Sequence, residues 1–348
     1  MRFLLLIFLM GCSTPSYLLK QGVGQLKIQW SSVENEKVLK DPKVSDEVKF
    51  KIRLIEDAKK YFEHYFSHPS QGIYTQTTFL KSKAVSYLVI ASRPDEIKAV
   101  EHKFPIVGSV PYLGFYDEED AEEFASDLNE QGLVTWKRPV YAYSTLGYFE
   151  DRILSSFFEY DEVELVELVF HEMFHTLFFV KDQVDLNENM ASYFADQLIN
   201  EYFAGNPLLA KYRADAEVGK VFDEKLVQIT RELMGEFEKM KPHLTPERAN
   251  MMTGRFVREL ILPLLRDVCM KQLRDQEDCP DQEEKWNQAR LAAFMTYQDE
   301  QDVLKELALQ KQLPLREFLA QVRAWYNEWE KGDRKIEFTD YLRLQLKV

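Results

Sequence analysis

Residues 169–175 read Val169-Phe170-His171-Glu172-Met173-Phe174-His175, two histidines four positions apart with a glutamate directly after the first. On an α-helix positions i and i+4 share a face, so His171 and His175 can each aim an imidazole nitrogen at one metal ion. Glu172 then stands beside the first ligand, close enough to take a proton from a water at the metal without itself ligating it. The helix that this geometry requires is predicted here. Asp161 is placed to cap a run whose apolar residues Leu165, Leu168 and Phe174 continue to Leu177, with acidic residues in its first turn. Residue types and spacing together point to zinc and to hydrolysis.

A third ligand follows. Leu186-Asn187-Glu188-Asn189-Met190-Ala191-Ser192 predicts a second helix that opens at or near Asn187 and closes at Gly205, with Pro207 just beyond. Residues 179–185 are a connection of ordinary length for two helices that fold back on each other, which brings Glu188 to the metal. Two histidines and one glutamate leave a coordination position for water, as a catalytic zinc site requires. An acid in a first helical turn also suits the helix dipole, so the sequence leaves both roles open for Glu188.

Further blocks lie on either side: Phe104-Pro105-Ile106-Val107-Gly108, Tyr112-Leu113-Gly114-Phe115-Tyr116, the stretch from Ala142 to Phe149, and Asn287-Gln288-Ala289-Arg290-Leu291-Ala292 with Tyr297. With these blocks, the His171 motif and Asn187-Glu188, the chain resembles the bacterial "putative aminopeptidase" lipoproteins. Tyr17, Gln21 and Gly24-Gln25 resemble the start of the same pattern. The resemblance implies a zinc-dependent peptidase of the glutamate-ligand zincin type, with His171, His175 and Glu188 as metal ligands and Glu172 as general base. Ser192 stands four residues after Glu188, where thermolysin-like enzymes place an acid, and Asp196 is one turn further on. An aminopeptidase is the reading the family implies. An envelope endopeptidase and a non-catalytic binding or assembly module on the same fold are the alternatives, and the intact Glu172 speaks against the second.

At the amino terminus Met1-Arg2 precedes an apolar run from Phe3 to Met10, too short to span a bilayer as a mature helix but suited to a secretory signal. Leu9-Met10-Gly11-Cys12 looks like a bacterial lipobox, which implies removal of residues 1–11 and acylation of Cys12. Ser13 is not acidic, so the expected location is the outer membrane, lipid-anchored and facing the periplasm. Residues 12–44 are then an acylated tether and lead-in segment punctuated by Pro15, Gly22, Gly24 and Pro42. Residues 45–348 are expected to form a single zincin-like domain with an α/β part (45–160) and a helical part (161–348). The formal net charge of −14 argues against a nucleic-acid partner.

The expected fold class is α+β and predominantly helical, with a small sheet beside the helix of the His171 motif and a helical carboxy-terminal half. A helix over 45–66 presents Val48, Ile52, Ile55, Phe62 and Phe66 as a core stripe and ends at Ser67-His68-Pro69. His64 and His68 are also i and i+4, but no acidic ligand accompanies them. Strands are expected over 84–91, 104–116 and 134–143, with an acidic helix over 117–131 ending at Gly132.

In zincins a sheet edge near the metal holds the substrate backbone by strand addition. The 104–116 segment is the candidate here, with Tyr112 and Gly114, and Tyr297 from the carboxy-terminal block, as substrate-binding residues; a bend shaped by its Gly and Pro residues is the other reading. Tyr143, just upstream of the zinc helix, is the candidate to stabilise the oxyanion formed as water attacks a peptide carbonyl. Asn287 and Arg290 either reach the site or serve as caps and packing. Cys269 and Cys279 flank a polar stretch and form a candidate disulfide in an oxidising compartment. No Gly-x-Ser-x-Gly motif and no phosphate loop competes with zinc.

Overall fold

The computed structural model describes residues 14–69, 72–104, 108–142, 151–181, 183–271, 286–296, 302–332 and 335–346. The chain begins with helix α1 (Thr14–Trp30), a two-residue strand β1 (Val33–Glu34) and helix α2 (Asn35–Lys40), so much of the segment read as tether and lead-in is helical. One face of α1 explains why. The Tyr17 hydroxyl and Gln21 Nε2 donate to the Gly114 carbonyl at 2.9 and 2.8 Å, and Ile28 is buried. Gly24 is a contact residue rather than a break, because the Tyr116 ring occupies the space a Cβ would need.

Helix α3 (Asp46–Phe66) starts where the sequence predicts, with the Ser45 side chain accepting from the Val48 amide, and stops at Ser67 in the left-handed conformation, φ 52°. Strand β2 (Gln76–Thr78) pairs antiparallel with β1 and parallel with β8 (Ile153–Leu154). Strand β3 (Ser86–Ser92) is central in a second sheet, between β6 (Leu113–Phe115) and β7 (Val134–Val140), antiparallel to both. Strands β4 (His102–Phe104) and β5 (Gly108–Val110) pair with each other. The 104–116 stretch is thus several short strands instead of one. Pro111, which has no amide hydrogen to give a ladder, separates β5 from β6.

Helix α4 (Glu118–Glu130) is capped by Asp117 and covers one face of the second sheet, where Tyr87, Val89, Ala91, Leu113 and Phe115 pack with Ala121 and Leu128.

Strand β8 runs through a 3₁₀ turn (Ser155–Glu159) into helix α5 (Glu162–Leu177). Asp161 caps α5 in a full capping box, its side chain accepting from Val163 and Glu164 while Glu164 reaches back to the Asp161 amide. Helix α6 (Val184–Tyr202) begins before the expected Asn187, and helix α7 (Pro207–Met240) follows Gly205. Helix α8 (Pro246–Phe256), capped by Thr245, passes through a π-helical turn (Val257–Ile261) into α9 (Leu262–Lys271). Helices α10 (Gln288–Thr296), α11 (Asp302–Lys311), α12 (Leu315–Lys331) and α13 (Phe338–Gln345) complete the described chain.

The protein is predominantly helical with small sheets. Its main core is built on α5, where Leu165, Val166, Val169, Phe170, Met173 and Phe174 have no exposed surface. Phe174 stacks on Phe194 of α6 at 4.6 Å between ring centroids. Ile52, Ile55 and Phe62 of α3 and Ile153 and Leu154 of β8 close the same cluster, which places the β1–β2–β8 sheet next to α5. Burying the Phe174 ring alone is worth about 2 kcal/mol, so the centre of α5 is held by packing more than by helix propensity. A second core joins α7, α8, the π turn and α10 through Leu226, Leu233, Phe237, Ala249, Ile261 and Leu291. No described helix is long and apolar enough to cross a membrane.

Candidate metal centre

Helix α5 carries His171 and His175 on one face, and α6 brings Glu188 to them. His171 Nε2 lies 3.2 Å from Glu188 Oε2 and 3.2 Å from His175 Nε2, and His175 Nε2 lies 3.4 Å from Glu188 Oε1. These ligand atoms all fall within 4.8 Å of one another, and theirs is the group among the described residues able to hold a metal ion. Tetrahedral zinc with bonds near 2.0–2.1 Å requires ligand atoms about 3.3 Å apart. The triangle therefore has the edge lengths, and the nitrogen and oxygen donors, that fit zinc.

The connection between the two helices is fixed by Asn187, which the sequence marks only as the opening of the second helix. The buried Asn187 side chain accepts from the Val180 amide and donates to the carbonyls of Val180 and Gln183, each at 2.7 Å. Glu188, its neighbour, inherits that rigidity. On the other side of the first ligand, the Ser192 hydroxyl is 3.3 Å from His171 Nδ1. Asp196 takes no part at the ligands; it pairs with Arg213 of α7, which also donates to Asn200 Oδ1 at 2.8 Å. The Tyr212 hydroxyl donates to Glu167 of α5, so adjacent residues of α7 clip both ligand-bearing helices. Asparagine and serine at such places are too common in helices for their identity alone to reveal these roles.

Electrostatics differ sharply within the group. Burial pushes the Glu172 carboxyl up to about 7; the fields of Glu188 and Asp151 add to this and His171 opposes it. Its Oε2 is buried without a hydrogen-bond partner among the described residues. Burial pushes His175 down to about 4, which keeps its imidazole neutral and able to ligate. For His171 burial acts downward but is outweighed by the contact with Glu188 and the fields of Glu172 and Glu167. For Glu188 burial acts upward and is outweighed by the His171 contact and the His175 field, so its carboxyl lies low and ionised. A half-exposed, ionised carboxylate against two imidazoles is an arrangement that a divalent cation completes.

The other candidate residues fall elsewhere. Tyr143, Tyr297, Cys12 and Cys279 lie outside the described residues, while Cys269 belongs to the backbone of α9. Gly114 pairs with Leu88 of β3, and because its carbonyl accepts from Tyr17 and Gln21, α1 rather than a peptide covers that edge. Tyr112 faces a different cleft, on the α10 side of the second sheet. His68 Nε2 lies 3.4 Å from the Thr176 hydroxyl, with no metal group about it among the described residues. Asn287 caps the Arg290 amide and donates to the Thr135 carbonyl, and Arg290 stacks on Trp286 and Trp136 with centroid distances of 3.9 and 5.3 Å. These two residues fasten α10 to β7 and take no part at the metal ligands. The hydroxyl of Tyr160, just before α5, is pushed up by burial and by the fields of Glu164, Tyr141 and Glu172, with Arg138 opposing.

The family described as "Putative aminopeptidase" matches residues 16–336, and the chain belongs to that family. The description fits a peptidase. Comparison with curated proteins and with solved structures gives no match.

Proposed function

We propose that the protein is a zinc-dependent peptidase with a zincin-like catalytic centre, an aminopeptidase of the bacterial cell envelope held to a membrane by a lipid on Cys12. The observation that carries this reading is the His171–His175–Glu188 triangle, whose 3.2–3.4 Å edges suit tetrahedral zinc, beside the unpartnered Oε2 of Glu172. Zinc, when bound, supplies a Lewis acid that polarises the scissile carbonyl and acidifies the attacking water.

The remaining chemistry belongs to the chain. Glu172 Oε2 accepts a proton from the water as it attacks and returns one to the leaving amine. A carboxyl already displaced towards neutrality by its buried setting is matched to both halves of that transfer. His175 holds the ligand geometry from the core, at 5 % exposure, and Ser192 sets the orientation of the His171 ring. Tyr143, which lies outside the described residues, is the hydroxyl assigned to the developing oxyanion.

Elemental analysis of the purified protein and of its Glu172→Gln and His175→Ala variants, with hydrolysis of a mixed peptide library followed on each, tests the reading. One zinc per chain is expected in the parent and in Glu172→Gln, none in His175→Ala, and cleavage by the parent alone, with single residues released from amino termini. Protein without zinc would overturn the central claim.

A further inference from the structure

The cleft that Tyr112 faces is otherwise apolar, lined by Leu88, Ile90, Pro111 and Ala293 among others, with one charged residue, Arg138 of β7. Arg138 sits opposite Leu88 in the ladder and is half-buried. Its sequence neighbour Lys137 points to the other face and is neutralised twice, by Glu118 at 2.6 Å and Glu122 at 2.7 Å. Arg290, a second cation on the α10 side, is occupied by Trp286 and Trp136. Arg138 has no ion pair or hydrogen bond among the described residues, in a chain with 58 acidic against 44 basic side chains. A guanidinium with no protein partner at the wall of an apolar cleft is open to an arriving anion, and its parallel N–H groups match a carboxylate. Strand β7 runs from this cleft to the main core that holds α5: Val140 packs against that core, and the Ser156 hydroxyl, just ahead of α5, donates to the Tyr141 carbonyl.

We propose that Arg138 anchors a carboxylate of the peptide substrate, while the apolar rim of the cleft beside it packs against a neighbouring side chain. The inference rests on the peptidase reading of the metal centre. The carboxylate is either the carboxy terminus of a short peptide or an Asp or Glu side chain, which share the chemistry that Arg138 recognises.

Three peptides of one apolar sequence separate the sources: one with a free carboxy terminus, its carboxy-terminal amide, and the amide with a single glutamate. Their binding is measured by calorimetry to the zinc-loaded Glu172→Gln protein, and their cleavage is followed with the parent. At least one carboxylate-bearing peptide is expected to bind about tenfold or more tightly than the neutral amide. Adding Arg138→Gln should bring that ratio close to one, and Arg138→Lys should restore part of it, with thermal melts confirming that both remain folded. Preference for the free terminus identifies the chain end; preference for the glutamate peptide identifies a side chain. Equal binding of all three, binding of none, or a preference that survives Arg138→Gln overturns the proposal. Discrimination without cleavage by the parent would remove the peptidase reading and leave the anchor standing, whereas cleavage without discrimination does the reverse.

Discussion

The Ser192 hydroxyl lies 3.3 Å from Nδ1 of His171, the ring nitrogen opposite the one that faces Glu188. A ligating imidazole whose second nitrogen is held keeps one tautomer and one orientation, and losing that partner weakens metal binding. Ser192→Ala is expected to lower zinc affinity about tenfold, read by competition with a chromogenic chelator. The metal-free protein should melt as the parent does. Undiminished affinity would show that the hydroxyl does not orient the ring.

Asn187 is predicted to matter for stability and metal binding at once. Its side chain satisfies both backbone groups of Val180 as well as the Gln183 carbonyl, all in buried or half-buried surroundings. Asn187→Ala strands these groups and should cost about 3 kcal/mol in denaturant unfolding of the metal-free protein. Zinc affinity should fall with it, because Glu188 is the next residue. A loss of stability with unchanged affinity would separate the loop from the ligand.

The acidity of Glu172 gives a prediction with a definite sign. Burial raises its folded-state pKa from an ordinary 4.5 to about 7, so its contribution to stability is complete below pH 4.5 and is lost as the pH rises through 7. His175, lowered from 6.5 to about 4, does the opposite: its contribution is complete above pH 6.5 and is lost as the pH falls through 4. Glu172→Gln removes only the first. The metal-free variant should therefore match the parent near pH 4.5 and exceed it by roughly 3 kcal/mol at pH 8. Denaturant titrations at the two pH values measure the gap, and a gap independent of pH would mean an ordinary carboxyl.

Replacing Gly24 by alanine sets helix propensity against packing. In an open helix the change gains about 1 kcal/mol. At this site a Cβ would lie 2.1 Å from Tyr116 Cδ2 and 2.4 Å from Cγ, and moving the ring breaks its 2.8 Å hydrogen bond to Gln25. Steric cost should win, with a net loss of about 1–3 kcal/mol in thermal or denaturant unfolding. Gly22→Ala, where a Cβ meets nothing within 4 Å, is the control and should stabilise.

What could be read from the sequence was what local periodicity and capping encode. His171 and His175 share a helix face by spacing alone, and Asp161, Ser45 and Thr245 announce their helices by capping chemistry. That Glu188 comes to the two histidines was legible because the length of the connection limited where its helix could lie. The contacts of Asn187, Ser192 and Arg213 were not, since each depends on which faces of α5, α6 and α7 meet, and no local pattern records that. The helical start of the chain was hidden for a similar reason: α1 contains two glycines, and it is the distant Tyr116 and Gly114 that give its polar residues partners. Gly114 itself looked like a place for substrate, yet its carbonyl is taken by the chain's own first helix.

Helix α7 is 34 residues long, roughly 50 Å from end to end. Near its start, Tyr212 and Arg213 are bolted to Glu167 and Asp196; further along, Leu226, Leu233 and Phe237 are set in the second core. One stiff strut thus spans both cores, and neither can tilt against the other without bending it or loading those bolts. Each bolt is a single helical turn from a residue at the metal triangle, Glu167 from His171 and Asp196 from Ser192. Mechanical stress in the second core is therefore delivered where tenths of an ångström decide how well an ion is held.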